Sequence, residues 1–257
     1  MKTSPVILMY HGIISSRADI PPDREAGADL YDLSAQKFRE QMELIKDRGY
    51  RPSRIEDMAV YDSRRIIITF DDGEMNNFSN AYPVLKECGF PAYFFVTTNR
   101  IGQKGYMGWK ELEILSKSGM IIGSHGLTHR ILTDLSEDEL RTEILESKTN
   151  LEKHLNCVAH YFSVPRGFYN DDAVNIAKDV KYRRLFVSQR LTGHGDYCLP
   201  RVAVKSNWNL ERFQMALAGK TPVRERIFEG VKNAAKGVLG GAGYDRLRGF
   251  LISKTSG

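Results

Sequence analysis

Cysteine is scarce in this chain: three residues in 257, at positions 88, 157 and 198. An odd number without a CxxC spacing argues against both a disulfide framework and a thiolate metal site, and leaves incidental thiols. Long apolar runs are also missing. The first apolar segment, residues 5–10, gives way to polar sequence too soon for a signal peptide or a membrane span, so the expected location is cytoplasmic. Charge of one sign does not dominate either, because 37 Lys and Arg interleave with 32 Asp and Glu to leave a net +5. Without a basic groove or a nucleic-acid motif, nucleic acid is not an expected partner. What is present is an ordinary globular composition, 42% hydrophobic and 27% charged, which can bury a core.

The one stretch with a charge bias is the C-terminus. From Lys220 on, Lys220, Arg224, Arg226, Lys232, Lys236, Arg246, Arg248 and Lys254 outnumber Glu225, Glu229 and Asp245. Residues 220–257 therefore read as a basic, partly helical tail that suits weak contact with an anionic membrane surface. Residues 1–219 read as a single catalytic domain.

Within that domain, short apolar runs alternate with segments of helical period, the pattern of parallel strands joined by crossover helices. Strands are expected at Val6–Tyr10, Arg65–Phe70, 92–97, 120–123, 160–164, 184–188 and 202–205. Ser34 caps an expected helix through Asp47, with Phe38, Met42 and Ile45 on one face. Ser136 and Glu139 form a capping box ahead of a longer helix with Leu140, Ile144, Ser147, Leu151 and Leu155 in one stripe. Further helices are expected over 80–88, 109–118, 171–178 and 210–218. Seven alternations suit an α/β barrel or a doubly wound sheet, and in both the chemistry gathers at the carboxyl ends of the strands. The Pro- and Gly-containing segment 16–32 reads as a long loop at that end.

The residues at those ends fit the expectation. Arg65–Phe70 runs into Asp71-Asp72-Gly73, so that one carboxylate can bind a cation while its neighbour acts as general base toward a water molecule. The strand near 120–123 runs into Ser124-His125-Gly126-Leu127-Thr128-His129, two imidazoles at a spacing that brings them to one side. Asp72, His125 and His129 make a nitrogen–oxygen set that leaves a position for water, as catalytic zinc sites do. The same donors suit cobalt, nickel or iron(II). His11 closes the first strand on the same face; Trp109 is a candidate for stacking on a substrate ring.

Taken with Leu8-Met9-Tyr10-His11-Gly12 and Phe162-Ser163-Val164-Pro165-Arg166-Gly167-Phe168-Tyr169-Asn170, these segments resemble the polysaccharide deacetylases, carbohydrate esterase family 4, which share the domain of the nodulation chitooligosaccharide deacetylases. The resemblance spans residues 6–204. It implies a distorted (β/α)7 barrel and removal of N-linked acetyl from an amino-sugar glycan or glycan precursor. It further implies Asp71 as catalytic base, Asp72, His125 and His129 as ligands of a divalent metal, zinc first, and an oxyanion donor at the amide of Arg166 between Pro165 and Gly167. Tyr169 is carried along as a candidate substrate contact.

Three departures from the family pattern stand out. Ser163 replaces the arginine that opens the third motif and braces the catalytic aspartate, and Arg166 stands where an aromatic residue is usual, so the brace is expected from Arg201, with Arg166 second. No late Leu-x-His supplies the general acid, for which His11 and His194 are candidates. Two other readings stay open: hydrolysis of a different non-peptide amide on the same barrel, and a non-catalytic carbohydrate-binding relative.

Overall fold

The computed structural model describes residues 5–59, 62, 64–188, 193–222 and 225. Along the chain the regular elements are β1 (Val6–Tyr10), β2 (Ile13–Ile14), β3 (Leu33–Ser34), α1 (Ala35–Asp47), β4 (Arg51–Pro52), β5 (Arg65–Phe70), α2 (Tyr82–Cys88), β6 (Tyr93–Val96) and α3 (Trp109–Lys117). They continue with β7 (Ile121–Ser124), α4 (Glu137–Leu155), β8 (Tyr161–Ser163), α5 (Asp171–Asp179), β9 (Arg184–Val187), β10 (Cys198–Pro200), β11 (Val202–Ala203) and α6 (Leu210–Leu217). The expected tail lies outside the described residues from 223 on, apart from 225.

Parallel pairing runs β10-β9-β8-β7-β6-β5-β1-β11, with β4 added beside β5. Both ends of that order belong to one stretch of chain. Residues 198–200 pair with β9, and residues 202–203 pair with β1. The segment thus changes neighbour at Arg201 and closes the sheet into a barrel of seven staves, β1, β5, β6, β7, β8, β9 and 198–203. The sequence reading of one late strand at 202–205, with Arg201 at its start, is corrected here: two short strands flank Arg201. The barrel is uneven, since β7 and β8 share a single paired position, Ser124 with Phe162, whereas β1 and β5 share five.

Strand alternation sorts the side chains. Ile7, Ile67, Tyr93, Phe95, Tyr161 and Phe186 share one buried cluster, the filling of the barrel. The intervening positions, such as Leu8, Ile66, Ile68, Phe70 and Phe94, pack in a second cluster against Phe38 and Met42 of α1, Leu112 and Leu115 of α3, and Phe213 of α6. A third cluster joins Leu140 and Ile144 of α4 to Val174 and Ala177 of α5 and to Leu185 and Val187 of β9. Gly123 is required by this packing, because a Cβ there would come within 2.5 Å of the Phe95 ring.

Helix boundaries follow the capping chemistry. The Ser34 side chain accepts from Lys37 N, and Ser136 and Glu139 satisfy one another's amides at the start of α4. The helix expected from residue 80 opens with a wider π-type turn, Asn77–Ala81, before α2.

Candidate metal centre

The inward alternation of the strands continues one step past their ends. Ile67 and Thr69 lead to Asp71, whose amide still bonds to Tyr10 O; Ile121 and Gly123 lead to His125, whose amide bonds to Val96 O. Tyr161 leads to Ser163, and Ile7 leads to His11. The same parity that fills the barrel with aromatics therefore sets Asp71, His125 and Ser163 over its mouth. Asp72 would face outward on a regular strand. Instead its backbone takes φ 71°, a left-handed conformation uncommon outside glycine, and His129 takes φ 69°. Such backbone is costly and persists where the surroundings impose it.

Those two turns bring three donors together. Asp72, His125 and His129 are buried, and their ligand atoms all lie within 4.8 Å of one another, an arrangement that could hold a metal ion. Asp72 Oδ1 sits 3.2 Å from His129 Nε2 and 3.6 Å from His125 Nε2. That oxygen is buried and lacks a well-aligned hydrogen-bond donor among the described residues, so the donor set fits a cation that would draw the three atoms inward. The electrostatics agree. Burial pulls His125 down to about 4, leaving it neutral, while at His129 burial is outweighed by the Asp72 and Glu25 carboxylates, which hold it up at about 9. Asp72 is held well below the usual carboxylate range because its histidine neighbours outweigh burial. This pocket attracts positive charge.

Each imidazole is oriented from behind. His125 Nδ1 lies 2.9 Å from the Ser163 carbonyl, which fixes the ring so that Nε2 carries the lone pair. His129 Nδ1 lies 2.7 Å from Glu25 Oε1, from the long loop after β2, an ion-pair contact whose angle is not that of an aligned hydrogen bond. The loop that carries both histidines is gripped by Glu143 of α4, which accepts from Thr128 N at 2.7 Å, Thr128 Oγ1 at 2.8 Å and His129 N at 3.1 Å.

Asp71 stands beside this cluster, its Oδ2 3.8 Å from His125 Nε2. Arg201 grips it with both ends of the guanidinium, Nη1 to Oδ1 and Nη2 to Oδ2, each 2.7 Å. Ser163 Oγ donates toward the same carboxylate at 3.2 Å and accepts from Arg201 Nη2 at 2.7 Å. Burial would raise the Asp71 pKa, but Arg201 outweighs it and keeps the group below its ordinary value. Planar bidentate pairing of this kind fixes direction as well as charge. The neighbour exchange of the closing segment is what delivers Arg201 to the barrel mouth.

The remaining candidates are distributed differently. His11 follows β1, its ring 5.0 Å from that of Tyr31 and its Nδ1 buried without a partner among the described residues. Arg166 takes φ 59° within the turn Pro165–Gly167 that follows β8. Tyr169 is buried in the apolar cluster of β8, α5 and β9. His194 Nε2 lies 2.8 Å from Asp171 Oδ1 at the start of α5. Trp109 stacks on His154 of α4, centroids 4.0 Å apart and rings within 8° of parallel, between two helices of the outer layer rather than at the metal cluster. Sequence reasoning missed Glu25, Arg24, Glu74, Arg100 and Glu143; the 16–32 loop was marked as shaping a site, but nothing local singled out its charged members.

A closed parallel barrel with one carboxylate and two imidazoles at its carboxyl end, and a second clamped carboxylate alongside, defines the class: a candidate metal-assisted hydrolase. Comparison narrows it. Residues 60–185 match the family model described as polysaccharide deacetylase; this part of the chain is a polysaccharide deacetylase domain, and with the relatives it indicates a hydrolase of carbon–nitrogen bonds other than peptide bonds. It is 28% identical over 208 residues to YxkH of Bacillus subtilis, a protein named as a candidate polysaccharide deacetylase, covering 77% of this chain and 70% of that one. It is 24% identical over 200 residues to a poly-beta-1,6-N-acetyl-D-glucosamine N-deacetylase of Staphylococcus aureus, covering 69% of each. Among solved structures, the Streptococcus pyogenes deacetylase PplD in complex with acetate superposes with a TM-score of 0.74 at 26% identity, over 84% of this chain and 99% of that one. Among the described residues no helix is long and apolar enough to cross a membrane.

Proposed function

We propose that this chain removes an N-linked acyl group, acetyl in the first instance, from an amino sugar within a glycan or glycan precursor. The observation that carries this reading is the double 2.7 Å grip of Arg201 on Asp71, 3.8 Å from the imidazole of a three-donor metal cluster. An ion pair used only for stability has no reason to lie there.

Asp72, His125 and His129 would hold a divalent cation, zinc by preference, with cobalt, nickel and iron(II) compatible with the same donors. Once bound, such an ion acidifies water and polarises a carbonyl. Asp71 accepts the proton from the attacking water, and Arg201 and Ser163 keep its carboxylate ionised and aimed. The amide of Arg166, in the turn 165–167, donates to the carbonyl oxygen as the carbon becomes tetrahedral, an interaction typically worth about 2.7–4 kcal/mol. The departing amine needs a proton. His11 is the group assigned, because it follows β1 in the inward register with a ring nitrogen that has no partner among the described residues, whereas His194 is engaged by Asp171. Acetate and a free amino sugar are the products.

The Staphylococcus aureus relatives make β-1,6-linked N-acetylglucosamine oligomers the first substrates to try. The test is acetate release from N-acetylated saccharides by the full chain, after metal stripping and after reloading. Release that disappears with chelator and returns with zinc or cobalt is expected. A folded, metal-loaded protein that releases no acetate from any amide offered would instead favour a carbohydrate-binding role.

A further inference from the structure

Glu25 lies in none of the motifs that define the centre. It belongs to the segment between β2 and β3, which has little regular structure yet is tied down at several points. Asp19 accepts from the amides of Ser15 and Ser16 at 2.6 and 2.9 Å and from Asn80 Nδ2 at 3.2 Å. Arg24 forks onto Asp32 at 2.8 and 2.5 Å, and its Nε lies 2.9 Å from the buried carboxylate of Glu74. Pro21 packs against Gly105, where a Cβ would meet the proline Cα at 2.8 Å. A loop secured this way delivers its next residue to a defined place.

That residue is Glu25. Its Oε1 lies 2.7 Å from His129 Nδ1 and 2.7 Å from Arg100 Nη2, and Arg100 Nη1 in turn lies 3.9 Å from Asp72 Oδ1. The two ligand imidazoles thus have unlike partners, a neutral carbonyl behind His125 and a carboxylate behind His129. We propose that Glu25 is a positioning residue of the metal centre: its carboxylate, held against His129 Nδ1, favours the tautomer with the proton on Nδ1 and so leaves the Nε2 lone pair turned toward Asp72. Arg100 holds the Glu25 carboxylate in place and offsets its charge. The loop between β2 and β3 is therefore a structural part of the centre. This inference rests on the reading of Asp72, His125 and His129 as ligands.

Its test is zinc affinity, measured on the metal-stripped full chain by competition with a chromophoric chelator, for the wild type, Glu25→Ala, Glu25→Gln and Asp72→Asn, with circular dichroism to verify folding. Loss of such a carboxylate partner typically weakens metal binding about 10- to 100-fold, and that is the result expected for Glu25→Ala. Glu25→Gln, whose amide oxygen can still accept a hydrogen bond from His129 Nδ1–H, is expected to lose less, and Asp72→Asn to lose most. Affinity of Glu25→Ala within about threefold of wild type, with Asp72→Asn impaired, overturns the role of Glu25 alone. Unimpaired Asp72→Asn overturns the metal centre itself. If Glu25→Ala does not fold, the His129 Nδ1–H resonance of zinc-loaded protein decides: it is expected to shift in Glu25→Gln, and an unchanged signal overturns the proposal.

Discussion

Asp71 and Arg201 are both deeply buried, their side chains only 3% and 1% exposed, and that burial makes each substitution informative in a different way. Asp71→Asn removes the proton acceptor but keeps the shape, so kcat is expected to fall on the order of 10²- to 10⁴-fold, with metal affinity retained. Arg201→Met strands a buried carboxylate, and breaking one side of such a pair costs about 3–5 kcal/mol; urea denaturation reads that loss directly. Arg201→Lys keeps the charge and gives up the fork. Its kcat is expected to drop while KM stays near wild type, and a lysine variant with full kcat would show that charge alone suffices. Which residues were legible from sequence follows from the range of their partners. Asp71, Asp72, His125 and His129 announce themselves because each pair is local and follows a strand. Arg201 could be named only because the third motif lacks its arginine. Glu25 and Arg100 stand 75 positions apart and meet only in the fold.

α4 links the outer layer to the chemistry. One face buries Leu140, Ile144 and Leu151, and from the same helix Glu143, only 4% exposed, reaches the loop that carries the histidines. Hydrogen bonds to charged groups contribute about 1.5–3 kcal/mol, so Glu143→Leu is expected to destabilise the fold by at least that much and to weaken zinc binding, because the φ 69° turn at His129 loses the acceptor that holds it. At the N-terminus of α4 the capping box gives a pH signature. Hydrogen bonding from Ser136 N, reinforced by Arg130, pulls Glu139 down to about 2. A folded-state pKa below the unfolded one contributes stability that is fully present above the ordinary carboxylate value, near 4.5, and is lost as pH falls from there toward 2. A carboxyl titration of Glu139 by NMR should show the depressed value, and Ser136→Ala, which removes the hydroxyl but keeps the backbone amide, should raise it only part of the way. The box was readable because Ser and Glu three apart ahead of an apolar stripe have few other local uses. The π-type turn before α2 and the two-residue strands β2 and β3 were not, since neither period nor composition marks elements that short.

At the scale of the whole molecule, the barrel filling and the active face form one column. Phe186 packs on Phe95 at 4.7 Å and on Tyr93 at 5.6 Å, and the Arg201 guanidinium lies 5.9 Å above its ring. The alternation of apolar runs with helical segments made the barrel legible. Its closure was not, because residues 198–203 share themselves between two neighbours and look like a single late strand. That closure has a measurable consequence. Phe186→Ala should cost about 3–5 kcal/mol, as large-to-small changes in a tight core do, and should also lower kcat, since the cavity opens beneath the group that aims Asp71. Phe213→Ala supplies the control: Phe213 is equally buried but packs between α6 and the outside of the sheet. It is expected to lose similar stability, measured by urea denaturation, while keeping kcat for the fraction that remains folded. Equal losses of kcat in both variants would mean that activity tracks global stability, and that the aromatic column gives Arg201 no particular support.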